Sequence, residues 1–135
     1  MNEIATMSAK AVSAVRSLEN EALKLPQVPI ETIHALHANV YARTVRIPAG
    51  VMITGALIKI PTVLIVSGHA IMYAIDGAEH VSGYNVFSAA AARKSAFFAM
   101  TDTYLTMLFA TNAQTVVEAE AEFTDETSLL VTRES

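Results

Sequence analysis

Four histidines, His34, His37, His69 and His80, are the imidazoles this chain has for holding a metal or moving a proton. It has no cysteine, which excludes a thiolate nucleophile, a thiolate metal site and a disulfide framework. His34 and His37 are three apart, on opposite faces if the segment is a strand and together if it is a helix. A dependable metal site needs three or four convergent ligands, and neither arrangement supplies them. Carboxylates are sparse in the central region, where only Asp76, Glu79 and Asp102 occur. Asp76 belongs to a turn and Asp102 to a turn or strand end, with no identifiable partner for general acid–base work. No Gly-x-Ser-x-Gly elbow and no phosphate-cradling glycine loop is present. Arg43 and Arg46 alternate onto opposite faces of a strand, so at most one can enter a barrel mouth and grip an anion. A surface ion pair is the simpler role for Arg43. Arg93-Lys94 reads as a small basic spot.

The elements that must carry these residues centre on Tyr41 to Asn85, a series of short β-type runs. Val45, Ile47, Val63, Ile65 and Val66 are β-branched and suit a pleated, half-buried surface. Pro48-Ala49-Gly50, Thr54-Gly55, Ser67-Gly68 and Asp76-Gly77 punctuate the runs as turns. Asp76-Gly77 predicts a two-residue hairpin in which Tyr73 faces His80 and His69 faces Tyr84. Alternation then places His69, Ile71, Tyr73, Ile75, His80 and Tyr84 on one face. Ala70, Met72, Ala74 and Val81 take the other, as the inside of a narrow barrel requires. Ile30 to His37 reads as an edge strand, Asn39 starts a turn, and Phe97 to Phe109 returns to strand with Leu105, Met107 and Phe109 on one side.

The flanks are helical. Residues Asn2 to Leu25 carry apolar side chains at Ile4, Met7, Ala11, Ala14, Val15, Leu18, Ala22 and Leu25, a three-four stripe that Pro26 ends. The two prolines of Leu25-Pro26-Gln27-Val28-Pro29 make an extended link, so the helix is expected to dock on a surface and stand outside the barrel core. Gln114 to Phe123 reads as a short acidic helix with a solvated face, followed by a frayed polar tail from Thr124. The division is 1–25 helix, 26–113 barrel, 114–135 acidic helix and tail.

The 135 residues are mostly hydrophobic and weakly charged, with a net charge of −4. Disorder and nucleic-acid binding are both disfavoured. No apolar run approaches the roughly 18 residues of a membrane span, and the start lacks the basic-then-apolar order of a secretory signal.

At Leu25-Pro26-Gln27-Val28, Tyr41-Ala42-Arg43, Ile47-Pro48-Ala49-Gly50, Thr54-Gly55, Asp76-Gly77 and Asp102-Thr103 the chain resembles small cupin-fold proteins of tailed phages and prophages. The resemblance covers roughly residues 25 to 123 and rests on the order of motifs rather than on any one. It implies an antiparallel jelly-roll barrel, often paired into dimers. That family typically places two metal-binding histidines shortly after the Thr-Gly pair and another on a late strand. Here those places fall on Ile58, on Pro61 or Thr62, and on Met100, none of which suits a divalent metal. The usual Pro-Gly before the basic pair is Ala91-Ala92.

The resulting expectation is a mainly β, cupin-like barrel that is metal-free, cofactor-free and not an enzyme. It would act by association with itself or with a phage or host protein, in the host cytoplasm or as a virion accessory or decorating protein. Contacts would come from Ile4, Met7 and Leu18 of the helix and from His69, Tyr73, His80 and Tyr84. The alternative is a small-molecule binder whose pocket is lined by Ile58, Met72, Met100 and Met107. A metal enzyme with misaligned ligands ranks last.

Overall fold

The computed structural model describes residues 2–25, 27–74 and 77–130. Among these residues eight strands and two α-helices follow in the order β1 (Asn2–Ile4), α1 (Ala9–Ala22), β2 (Glu31–His37), β3 (Val40–Ile47), β4 (Met52–Thr54), β5 (Thr62–Ala74), β6 (Gly77–Ala89), β7 (Ala96–Ala99), β8 (Thr103–Ala110) and α2 (Val116–Phe123), with a 3₁₀ turn at Thr127–Leu129. The main sheet runs β1-β6-β5-β8-β3-β2, antiparallel except for the parallel β1–β6 pair. β4 and β7 pair with each other and β7 also pairs with β5, which supplies the second wall.

One glycine decides how β5 serves both walls. Its first half pairs with β8 over Val63–Ser67 and its second half with β7 over Ala70–Tyr73. Gly68 lies between them at φ +139°, and a Cβ there would sit 2.7 Å from Thr103 Oγ1 and 2.8 Å from the Asp102 carbonyl. The Met100 and Thr101 N–H groups both donate to the His69 carbonyl, tucking the β7–β8 turn against the strand. Only a residue without Cβ fits this close approach. Ser67-Gly68 is therefore a corner inside one long strand, not the turn expected from sequence.

The β5–β6 ladder pairs Tyr73 with Ala78, Ile71 with His80, His69 with Ser82 and Ser67 with Tyr84. The expected register is displaced by two residues because Gly77 is the first residue of β6 and pairs with Ala74. Ile75 and Asp76 lie outside the described residues. A shift of two keeps every side chain on its face, and Ala70, Met72 and Val81 are buried as expected. The β2–β3 hairpin turns through Ala38 (φ 52°) and Asn39 (φ 58°), the left-handed pair of a type I′ turn. β8 alternates cleanly, with Leu105, Met107 and Phe109 inside.

The N-terminal segment differs from its expectation. Residues Asn2–Ile4 form a strand and the helix begins only after Ser8, whose hydroxyl accepts from the Ala11 N–H at 3.1 Å. A three-four stripe gives no start point; the capping serine does. Ile4 enters the main core, while Met7, Val15 and Ala96 form a second cluster joined by Ala11, Val12, Leu18 and Tyr73. The segment thus packs on its own barrel, and Leu25 is exposed. Of the residues expected as contacts to other molecules, Ile4 and Met7 are buried within the chain, while Leu18 and Tyr73 pack against the second cluster and stay partly exposed. The expected stop, Pro26, lies outside the described residues. At the other end Thr124 and Leu130 are buried, so the tail packs on the barrel at least to Leu130. No helix among the described residues is long and apolar enough to cross a membrane.

Candidate functional site

Between the two walls lies a cavity of about 140 Å³. β3 contributes Arg43 and Val45, β5 Leu64, β8 Leu105 and Met107, β4 Ile53 and Thr54, and β7 Phe97. Ile58, Arg93 and Ser95 come from the connecting loops, Phe123 from α2, and Leu129 and Leu130 from the final turn. Strand alternation explains why these side chains converge, since residues two apart share the inward face. Leu129 is also exposed, so the cavity meets solvent at the C-terminal turn.

Two buried cations, Arg43 and Arg93, line this wall, and a buried carboxylate, Glu120, stands behind the first. Arg43 on β3 is paired with Glu120 of α2, Nη1 to Oε2 at 3.4 Å, and its guanidinium lies 6.0 Å from the Phe123 ring centre. Glu120 is 3% exposed, so the acidic helix does not present a uniformly solvated face. Arg43 was expected in a surface ion pair, and the barrel encloses it because odd-numbered β3 residues point inward. Arg46 is the surface partner, bound to Asp102 at 2.6 Å. Beside Arg43, Tyr41 stacks between His34 and Phe123, and its hydroxyl lies 2.6 Å from His34 Nδ1. Burial raises the Tyr41 pKa, against the opposing influence of Arg43. Burial, then the Arg43 charge, lowers that of His34.

Arg93 is the second of these cations and is 3% exposed. Its backbone bridges Ile58. Nη1 donates to the Ile60 carbonyl at 3.2 Å and to the Ala90 carbonyl at 2.6 Å, and Nη2 donates to the Thr62 hydroxyl. Burial pushes its guanidinium down to about 10. Next to it, Lys94 is fully enclosed, with Nζ 3.1 Å from Glu19 of α1 and 2.7 Å from the Gly55 carbonyl. Glu126 Oε1 lies 3.9 Å from the same Nζ, and Glu126 is itself held by Arg16 at 2.9 Å and by the Leu57 N–H at 2.8 Å. Burial opposes ionisation of Glu126, but Arg16, Leu57 and Lys94 outweigh it and keep the carboxyl below its ordinary range. The expected basic spot is thus a pair of interior cations. The sequence does carry a signal: Arg93 and Lys94 are the only charged residues between Glu79 and Asp102.

The other anticipated positions separate. Ile58 and Met107 line the cavity, Met72 is buried elsewhere in the core, and Met100 is 45% exposed on the β7–β8 turn. Pro61 is exposed, and Thr62 is engaged by Arg93. Met100 therefore marks no interior ligand position, because a turn residue escapes the inward alternation of β7 and β8. His69 and His80 face outward with Nε2 and Nδ1 3.3 Å apart, closer than the expected register allowed. Tyr84 is 69% exposed and His37 is exposed. Among the described residues no group of three or more His, Asp or Glu side chains converges on a point that could hold a metal. Ile58, Leu64 and Leu105 offer no lone pair, so a divalent metal does not fit this interior.

No family model matches the sequence, and no curated protein matches it. Solved structures do match. Salicylate 1,2-dioxygenase from Pseudaminobacter salicylatoxidans superposes with a TM-score of 0.56 at 15% identity, covering 91% of this chain and 40% of that one. KdgF from Halomonas sp. gives 0.51 at 16% identity, covering 64% and 82%. A cupin superfamily protein from Desulfitobacterium hafniense gives 0.50 at 12%, covering 67% and 87%. At such identities the likeness concerns architecture alone. The double-walled barrel, its inward alternation and these superpositions together establish that the chain has a cupin fold, a mainly β jelly-roll barrel with a helix near each end.

Proposed function

We propose that this protein is a metal-free binding protein that holds a small, largely apolar molecule inside its barrel. The observation that carries the reading is the cavity of about 140 Å³ between the two walls, lined chiefly by aliphatic and aromatic side chains. A cavity of about 150 Å³ with such a lining admits benzene. A few convergent polar groups, here Arg43, Arg93, Thr54 and Ser95, are what fix a ligand's orientation in such sites. The absence of converging metal ligands among the described residues favours binding over metal-dependent chemistry. The dioxygenase named above has its own activity, and the likeness to it reaches the fold only. Toluene titrated into methyl-labelled protein tests the reading. Shifts confined to Ile58, Leu64, Leu105 and Met107 are expected; unchanged signals at saturating toluene would refute it.

A second reading, compatible with the first, is self-association through the outer sheet face. Ile33, Thr44, Thr106, Ile65 and Val86 form one uncharged row across β2, β3, β8, β5 and β6, with Ile33 and Val86 about half exposed. A second copy related by a two-fold axis can meet such a row without opposing like charges. A virion accessory role would be one use of this surface and rests on the sequence resemblance alone. Light scattering is expected to give a dimer that Val86→Glu dissociates. A monomeric parent protein would end this reading.

A further inference from the structure

We propose that the barrel's ligand is a small apolar monocarboxylate whose carboxylate sits on the Arg93 guanidinium. The inference rests on the binding reading above and adds the ligand's charge and class. The cavity wall holds two cations, Arg43 and Arg93. Glu120 answers Arg43. Among the described residues no carboxylate lies within ion-pair distance of Arg93, whose partners are two carbonyls and a hydroxyl. A guanidinium carries five N–H donors, so three acceptors leave part of it available. A buried cation without a counter-charge is costly, and the group shows that cost in its lowered proton affinity. The interior is therefore short of one negative charge.

The shape of the deficit selects the ligand. A phosphate dianion would overcompensate a single cation and would leave Ile58, Leu64 and Phe97 facing a strongly hydrated group. A carboxylate is planar, carries one charge and matches the guanidinium fork with two parallel hydrogen bonds. The apolar body attached to that carboxylate, no larger than a benzene ring, meets the aliphatic part of the lining. The two halves of such a molecule meet the two halves of the cavity, cationic at Arg93 and aliphatic around Leu64 and Leu105.

Benzoate, its neutral isostere benzamide, and toluene test this on the full chain at neutral pH, by calorimetry and by following the ¹⁵Nε–H signal of Arg93. Benzoate is expected to bind roughly tenfold or more tightly than benzamide, as a charge-assisted hydrogen bond should. Its binding should move the Arg93 signal, while toluene should not. Arg93→Met should abolish the preference for benzoate over benzamide. Should that variant not fold, the wild-type Arg93 signal decides: no shift at saturating benzoate overturns the proposal. Equal affinity for benzoate and benzamide with toluene still binding overturns the carboxylate claim alone. No binding of toluene or benzoate refutes the barrel reading and this proposal with it.

Discussion

Lys94 and Glu19 meet inside the protein, Nζ to Oε2 at 3.1 Å, with the lysine side chain fully enclosed and the glutamate 13% exposed. The contact joins the loop before β7 to helix α1 and anchors the helix on the barrel beside the Met7–Val15–Ala96 cluster. Glu19 also accepts from the Thr54 hydroxyl at 2.9 Å, so one carboxylate ties the helix to two places on the barrel.

Removing one partner of an enclosed pair leaves the other charge uncompensated. Glu19→Gln is expected to cost about 3 kcal/mol, the lower end for a broken buried ion pair because Glu126 stands nearby. The double variant Glu19→Leu with Lys94→Met removes both charges and should recover most of that loss. Urea unfolding of the three proteins decides; equal stability of parent and Glu19→Gln would show that the pair contributes nothing.

Arg43→Met should destabilise by about 3–5 kcal/mol at neutral pH, since it strips the guanidinium from buried Glu120. Urea unfolding at neutral pH checks this; a loss of less than about 1 kcal/mol would contradict the assignment of a buried Arg43–Glu120 pair.

Gly68 and Gly83 are cross-strand partners, both at positive φ, yet they differ in surroundings. A Cβ at Gly68 collides with the Asp102 carbonyl and Thr103, whereas one at Gly83 meets open space. Gly83→Ala should cost about 1 kcal/mol from backbone strain alone. Gly68→Ala adds the collision and should cost roughly 2–3 kcal/mol more. Equal losses in chemical denaturation would mean that the corner in β5 is not set by this close approach.

His34 has a lowered pKa, first through burial and then through the Arg43 charge. Its unfolded form takes up a proton near 6.5 while the folded form resists. The stability linked to His34 is therefore complete above that value and is lost as pH falls through the lower folded pKa. Thermal unfolding between pH 7.5 and 5 should show this loss, reduced in His34→Gln. An unaltered slope in that variant would assign the effect to another group.

The sequence by itself determined what depends on neighbours along the chain. Period-two alternation marked Ala70, Met72 and Val81 as inward and set Leu105, Met107 and Phe109 on one side of their strand, and the three-four stripe marked α1, because those periods are properties of the backbone. The barrel class followed from many short β-type runs between turn residues. Local chemistry could not say which of several glycines turns the chain. Ser67-Gly68 reads as a turn until the β7–β8 turn is seen packed against it. Nor could it fix the β5–β6 register, which rests on where Gly77 pairs. Tertiary structure alone decided which charges are interior. Arg43 meets Glu120 across 77 positions and Lys94 meets Glu19 across 75. A basic pair in an alanine-rich loop looks solvated in sequence because charge burial is decided by what packs over it. Here the cover comes from a helix and a C-terminal turn that the chain brings in from its two ends.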